Sequence, residues 1–237
     1  MDIDKNTNTG HTGHRRRLRE RFLKSGRAAL ADYELLELLL SFGVARKDTK
    51  PPARELLNRF GTLAAVLRQP AHLLAEVPGI GPAGAALLLL VREIMTRSLE
   101  VEVESGRKIC SPADVSDYVR LAIGPNQNEC VLVLCLNSAN RLIHKAVITE
   151  GTVNQAPVYP REVARLALLH GATAVILVHN HPGGQCRPSA EDLDLTRHLT
   201  EALVKLDIQL HDHLIVTPGQ VYSITAGRVI DGNRSGP

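Results

Sequence analysis

The segment VILVHNHPGGQCRPSAED, residues 175–192, constrains the fold of this 237-residue chain more than any other stretch. It continues an apolar run that starts at Thr173, is rich in β-branched residues and is typical of a buried strand. Pro182, Gly183 and Gly184 then predict a turn, and Ser189 is a favoured residue at the start of a helix. The segment therefore predicts a strand, a loop and a helix in succession.

The rest of the second half has the same mixed character. The apolar runs CVLVLCLN and RLIHKAVITEG, joined by SAN, predict a β-hairpin. Helical patterns precede and follow this hairpin, and two further short strand patterns close the chain. We therefore expect an α/β domain over residues 109–230, with a mixed β-sheet and flanking helices.

The first half predicts only helices. Residues 1–99 contain several helical patterns, and the last two are joined by the turn sequence VPGIG. Residues 100–108, with the sequence EVEVESGRK, are charged and carry no helical period. We interpret 1–99 as a small all-α domain and 100–108 as a linker.

The chain carries no sequence signal for membrane insertion or secretion. Its longest fully apolar run, AALLLLV, is too short to span a bilayer, and its first residues are polar and then basic. Its four cysteines include no C-x-x-C pair, so a disulfide framework is not expected. These features predict a soluble protein of the reducing cytoplasm.

Charge is distributed unevenly between the two halves. Residues 1–99 hold 16 Lys and Arg against 10 Asp and Glu, a balance of +6, and residues 100–237 hold 12 against 15, a balance of −3. The basic first half is a modest indication of a polyanionic partner.

Two histidines and an aspartate of the opening segment have the spacing of a metal site. His179 and His181 are two residues apart at the end of the strand, so their side chains point to the same side. A helix that starts at Ser189 can bring Asp192, on its first turn, to the same place. Two imidazoles and one carboxylate leave a tetrahedral zinc ion with one open position, as in catalytic zinc sites.

The same residues also allow a structural interpretation. Ser189 and Asp192 have the spacing of a helix-capping pair, and His179 and His181 could simply be polar residues where a strand ends. A second H-x-H, His211 to His213, lies inside a strand pattern, and we expect it to have a structural or supporting role.

The spacing H-x-H, seven residues, S, two residues, D resembles the JAMM signature of the MPN metalloproteases. The stretches GTVNQAPVYPREV, DHLIV, ELLELLLSFG and VPGIGPAGAALLLL are similar to the RadC branch of that family. The resemblance implies an MPN-type fold and a zinc-dependent hydrolase that cleaves an amide or isopeptide bond of a protein or peptide-like substrate. RadC proteins usually have Pro-Ser-Gly where this chain has Pro182, Gly183 and Gly184.

The resemblance also implies roles for individual residues. His179, His181 and Asp192 would bind zinc, and Ser189 would stabilise the oxyanion. Glu129, before the first strand, would be the general base. Glu150 is the alternative base.

Two other functions remain open from the sequence. VPGIG resembles the turn of a helix-hairpin-helix, so the first domain could bind DNA, although weakly because no lysine follows its glycines. The protein would then be a DNA-associated factor of repair or recombination. The third alternative is a metal-binding scaffold without catalytic turnover.

Overall fold

The computed structural model describes residues 9–25, 30–44, 47–105, 108–150 and 158–230. In the first of these ranges side chains are described from residue 13 onward, and in the fourth they are described up to residue 148. The chain divides into two compact units, Met1–Glu93 and Ile94–Pro237. The sequence predicts that the first domain ends at residue 99. Among the described residues, no helix is both long enough and apolar enough to cross a membrane.

The first unit is helical, as the sequence predicts. Its helices are α1 (Thr9–Ser25), α2 (Asp32–Gly43), α3 (Lys50–Phe60), α4 (Leu63–Leu67), α5 (Ala71–Ala75) and the start of α6 (Gly81–Glu104). Leucines spaced along α2, α3, α5 and α6 form its core, because each helix turns one apolar face inward. The fully buried members are Leu40, Leu56, Leu74 and Leu88.

The VPGIG segment forms the predicted turn between α5 and α6. Gly79 and Gly81 both have positive φ angles, +89° and +59°. A side chain at Gly79 would also lie 3.4 Å from the ring of Pro52 in α3. The backbone conformation therefore favours glycine at Gly79, whereas the contact with Pro52 would be an ordinary van der Waals one.

The predicted linker is wrong in one respect, because α6 continues through its first five residues to Glu104. Val103 is buried in the core beneath the sheet, and Glu100 and Glu104 form ion pairs with Lys145. These contacts come from residues distant in the sequence. Glutamate and valine alternate over residues 100–104, so the sequence alone does not reveal that Leu99 and Val103 pack on one helical face at i, i+4 spacing.

The second unit has the predicted mixed α/β fold. Its elements are α7 (Ala113–Ala122), β1 (Cys130–Leu136), β2 (Leu142–Glu150), α8 (Pro160–Leu169), β3 (Ala174–Asn180), α9 (Ala190–Val204), β4 (Gln209–Val216), β5 (Val221–Ser223) and β6 (Arg228–Ile230). The strands form one six-stranded sheet in the order β2-β1-β3-β4-β5-β6, in which β3 and β4 are parallel and the other neighbours are antiparallel.

Helices cover both faces of this sheet. Leu132 and Leu134 of β1 point to the face covered by α7, and Val131 and Val133 point to the face covered by α8 and α9. Because both faces are buried, the central strands are apolar throughout, which explains why β1 has no polar alternation. The polar residues of the opening segment begin where β3 emerges from this core.

Candidate metal centre

Three predicted ligand residues converge at the end of β3. His179 is the penultimate residue of β3, His181 follows the strand, and Asp192 is in the first turn of α9. One potential ligand atom from each of the three lies within 4.8 Å of the others. The parallel connection from β3 through α9 to β4 explains this convergence, since it starts α9 beside the end of β3.

The Asp192 carboxylate contacts both imidazoles. Its Oδ1 lies 3.0 Å from Nδ1 of His179, and its Oδ2 lies 3.2 Å from Nε2 of His181. The other nitrogen of His181, Nδ1, is 3.0 Å from the carbonyl oxygen of Gln185. A carbonyl only accepts hydrogen bonds, so Nδ1 of His181 carries the proton and orients the ring.

Ser189 and Asp192 also form the capping pair that the sequence allows. Asp192 N–H donates to Ser189 Oγ over 3.1 Å, and Ser189 N–H donates to Asp192 Oδ2 over 2.8 Å. The Ser189 hydroxyl donates to the same Oδ2 over 2.7 Å. The two interpretations of these residues are therefore compatible, because the cap is what holds the carboxylate toward the histidines.

The charges of the centre reinforce one another. Burial alone would raise the pKa of the Asp192 carboxyl, but hydrogen bonds from His179, His181 and Ser189 lower it well below its usual range. The hydrogen bond to Asp192 raises the pKa of His181. The site therefore holds a carboxylate that is ionised at neutral pH.

Glu129 lies at the edge of the same site. It is in the segment between α7 and β1, and its Oε2 is 3.8 Å from Nε2 of His179. This is close enough for both groups to contact one water molecule or one small substrate group. The alternative base, Glu150, is the last residue of β2, and its side chain lies outside the described residues.

The two histidines of the second H-x-H, His211 and His213, make unrelated contacts. His213 is fully buried, its ring stacks on that of His179 with centroids 6.3 Å apart, and burial lowers its pKa to about 3. His211 instead contacts Asn140, with Nε2 3.0 Å from Oδ1. A register shift beside β3 separates the two histidines, and no sequence pattern signals it.

Thr196 links His213 to the centre and was missed by the sequence analysis. Its hydroxyl donates to the carbonyl oxygen of Asp192 over 2.5 Å and lies 2.7 Å from Nδ1 of His213. Since that hydroxyl uses its proton on Asp192, Nδ1 of His213 donates to it. His213 is therefore a neutral support behind the first turn of α9.

These residues fit a divalent metal ion. Nε2 of His179 is buried and has no hydrogen-bond partner among the described residues, as expected of an atom that serves as a ligand. Neighbouring ligands of a tetrahedral zinc ion lie about 3.4 Å apart, given bonds of about 2.1 Å. The three candidate ligand atoms lie within 4.8 Å of one another, which is somewhat wider than that value.

Two protein-family models match the chain. The model described as RadC-like JAB domain matches residues 109–229, and the model described as UPF0758 N-terminal matches residues 11–86. The first match covers just over half of the chain and includes Glu129 and every residue of the centre described above.

Proposed function

This chain belongs to the RadC family, with a JAB domain over residues 109–229, and on that premise we propose that it is a zinc-dependent hydrolase of amide or isopeptide bonds. The observation that carries the proposal is the convergence of His179, His181 and Asp192 beside the Glu129 carboxylate. Two imidazoles and one carboxylate are the ligand set of hydrolytic zinc sites that keep a position open. A protein or peptide-like chain is the proposed substrate.

Each side chain has a defined task in this proposal. His179, His181 and Asp192 would hold a zinc ion, which supplies Lewis-acid chemistry by polarising a carbonyl and acidifying water. Glu129 accepts a proton from the attacking water and passes it to the leaving nitrogen. The Ser189 hydroxyl, which here donates to Asp192, turns to donate to the oxyanion of the tetrahedral intermediate.

Metal content tests the first part of the proposal. We expect about one zinc ion per purified chain, and a large loss of zinc in Asp192→Asn. Glu191→Gln is the matched control, since it removes an exposed carboxylate from the same helical turn. Equal metal in Asp192→Asn and the control, or none in wild type supplied with zinc, would contradict the site.

Hydrolysis tests the second part. The zinc-loaded protein is assayed against a panel of peptides and of isopeptide-linked protein conjugates. We expect cleavage that falls about 10²- to 10⁴-fold in Glu129→Gln, because a general base contributes a factor of this size. Zinc binding without cleavage across the panel would favour the alternative of a non-catalytic metal-binding scaffold.

One observation favours DNA binding as a second candidate function. Lys47 lines an open cleft of about 450 Å³ together with Gly79 and Gly81 of the hairpin turn. A lysine from another loop thus supplies a cation beside the start of α6, where the sequence showed none. Backbone amides and a nearby cation are the elements of phosphate contact.

Fluorescence anisotropy with duplex DNA tests this second function. We expect affinity to fall steeply between 50 and 200 mM salt, on the order of tenfold or more, and to weaken in Lys47→Ala. Lys205→Ala is the control, because it removes the same charge from an exposed position in the second unit. A DNA affinity that does not change with salt, or an equal loss of affinity in both variants, would exclude the cleft as a DNA-binding site.

A further inference from the structure

The residue between the two histidines, Asn180, has a role that its position in the H-x-H motif does not suggest. It is fully buried. Successive residues of a strand point to opposite faces, so Asn180 points away from the side on which His179 and His181 meet Asp192. It lies on the face covered by α7 and cannot be a ligand of the metal centre.

Within the described part of the chain, every hydrogen bond of the Asn180 side chain goes to the segment that carries Glu129. Its Oδ1 accepts from the N–H of Cys130 over 2.6 Å. Its Nδ2 donates to the carbonyl oxygens of Asn126 and Asn128 over 3.2 and 3.1 Å. One acceptor and two donors are required there, and among side chains of this size only an asparagine amide provides both.

These bonds continue the sheet beyond its last regular pair. In the antiparallel register Val131 faces His179, so Cys130 comes opposite Asn180, where β3 ends. The Asn180 amide thus takes the place of backbone partners for the incoming chain. Without it, the buried N–H of Cys130 would lose its partner, which is costly in an apolar surrounding, and the carbonyl groups of Asn126 and Asn128 would each lose one hydrogen bond.

Strand alternation then fixes the direction of Glu129. Cys130 packs in the core on the α7 side, so its predecessor Glu129 points to the opposite face, where His179 lies. The tether on both sides of Glu129 therefore sets the distance between its carboxylate and Nε2 of His179. The tripeptide His179-Asn180-His181 thus places its two candidate ligands on one face of the sheet. On the other face it forms hydrogen bonds with the segment that contains Glu129.

We propose that Asn180 is a positioning residue for Glu129, which it holds through the backbone of residues 126–130. This inference rests on the function proposed above, because it assumes that Glu129 acts on the chemistry at the metal centre. It predicts that loss of the Asn180 amide impairs the action of Glu129 and leaves the metal ligands in place.

The chain offers a matched control for a purely structural role. Asn137, directly after β1, also uses its side chain to hold backbone, since its Oδ1 accepts from Ala139 N–H and Arg141 N–H over 3.0 Å each. It lies at the opposite end of β1 from Cys130. Asn137→Ala therefore removes a comparable tether far from the centre.

The experiment compares wild type, Asn180→Ala, Asn137→Ala, Glu129→Gln and the double variant Asn180→Ala/Glu129→Gln. Zinc affinity is measured with a competing chelator, and amide hydrogen exchange is followed over residues 126–130. The visible spectrum of the cobalt-loaded proteins is then titrated with pH, which reports on Glu129 without any substrate. Asn180→Asp, which keeps the acceptor for Cys130 N–H, replaces the alanine variant if the latter does not fold.

We expect exchange at Cys130 to rise about tenfold in Asn180→Ala, with zinc affinity within about threefold of wild type. The cobalt pH profile should shift as in Glu129→Gln, and the double variant should shift no further. Hydrolysis of any amide that wild type cleaves should fall about 10- to 100-fold in Asn180→Ala through kcat. Asn137→Ala should match wild type in every measurement except stability.

The contrary outcomes separate the two proposals. If Glu129→Gln shifts the cobalt profile and Asn180→Ala does not, the positioning role is wrong and the proposed base stands. If Asn180→Ala loses zinc, its role is to support the ligands, and the inference fails. If Glu129→Gln itself leaves the profile unchanged, Glu129 is not the base, and both proposals fail together.

Discussion

At the scale of the residue, Asp192 makes two sets of contacts that belong to the two interpretations the sequence presents as alternatives. Its carboxylate completes the N-terminal cap of α9 with Ser189 and contacts both histidines. The cap satisfies backbone donors of the first turn, and the same bonds hold the carboxylate in one rotamer. The stability of α9 and the geometry of the metal centre therefore depend on the same atoms.

Ser189→Ala should consequently weaken both properties. Loss of the cap should cost about 1 kcal/mol of unfolding free energy. Loss of the hydrogen bond to Asp192 should lower zinc affinity about 10- to 100-fold, as for other partners of metal ligands. Urea denaturation and chelator competition measure the two effects, and Ser189→Thr, which keeps the hydroxyl, should retain most of both. Unchanged zinc affinity in Ser189→Ala would show that the capping bonds do not orient Asp192.

His213 should make the protein sensitive to acid. Burial lowers its pKa to about 3, whereas an unfolded histidine has a pKa of about 6.5. Between these values the unfolded chain takes up a proton and the folded protein does not, so stability falls as the pH drops below about 6.5. The slope is at most about 1.4 kcal/mol per pH unit.

Urea denaturation of metal-free protein at pH 7 and pH 5 measures this effect. We expect His213→Gln to be less stable than wild type at pH 7, since it loses packing against His179. Its stability should nevertheless change less between the two pH values. An equal change in both proteins would mean that other groups dominate the acid response.

At the scale of the element, the end of α6 is held by the sheet. Val103 is 7% exposed within the core, and Val101, two residues earlier, is 63% exposed. Lys145 of β2 pairs with Glu100 and Glu104 on the same segment. Tertiary contacts thus keep helical a stretch whose local sequence favours no helix, as expected for short segments that depend on packing.

Aspartate substitutions at the two valines test this arrangement. Val103→Asp should lower the free energy of unfolding by about 3 kcal/mol or more, because it buries an unpaired charge. Val101→Asp should change it by about 0.5 kcal/mol or less, as for an exposed site. Both are read from urea denaturation. Equal effects would indicate that residues 100–104 do not pack as a helix on the sheet.

At the scale of the whole molecule, the chain has separate hydrophobic cores. Leu40, Leu56 and Leu88 belong to the core of the first unit, and the sheet with α7, α8 and α9 builds the cores of the second. The candidate metal residues all belong to the second unit. Units with their own cores can unfold as separate cooperative transitions.

Differential scanning calorimetry should therefore resolve two transitions. Zinc should raise the midpoint of one of them only, because ligand binding stabilises the unit that holds the site. Leu56→Ala should lower the midpoint of the other transition, because it reduces the free energy of unfolding of the first unit by about 2 to 5 kcal/mol. A single transition that responds to both changes would show that the units unfold together.

The candidate site was largely predictable, because its ligands lie close together in the sequence. His179, His181, Ser189 and Asp192 fall within one strand, loop and helix, and each of those elements has a clear local signal. His213, Thr196 and Asn180 carry no such signal. Their roles depend on the β3–β4 register, the direction of α9 and the end of β1, which arise from pairing across the fold.

Local patterns by themselves determined the order of helices and strands, the mixed class of the second unit and the set of candidate ligand residues. They did so because capping, turn chemistry and apolar periodicity act over a few residues. Only the tertiary structure decided that α6 extends to Glu104, that Lys47 lies beside the hairpin turn and that Asn180 grips the segment of Glu129. Each of these depends on contacts between distant parts of the chain, whose geometry is set when the cores pack and backbone groups find their partners.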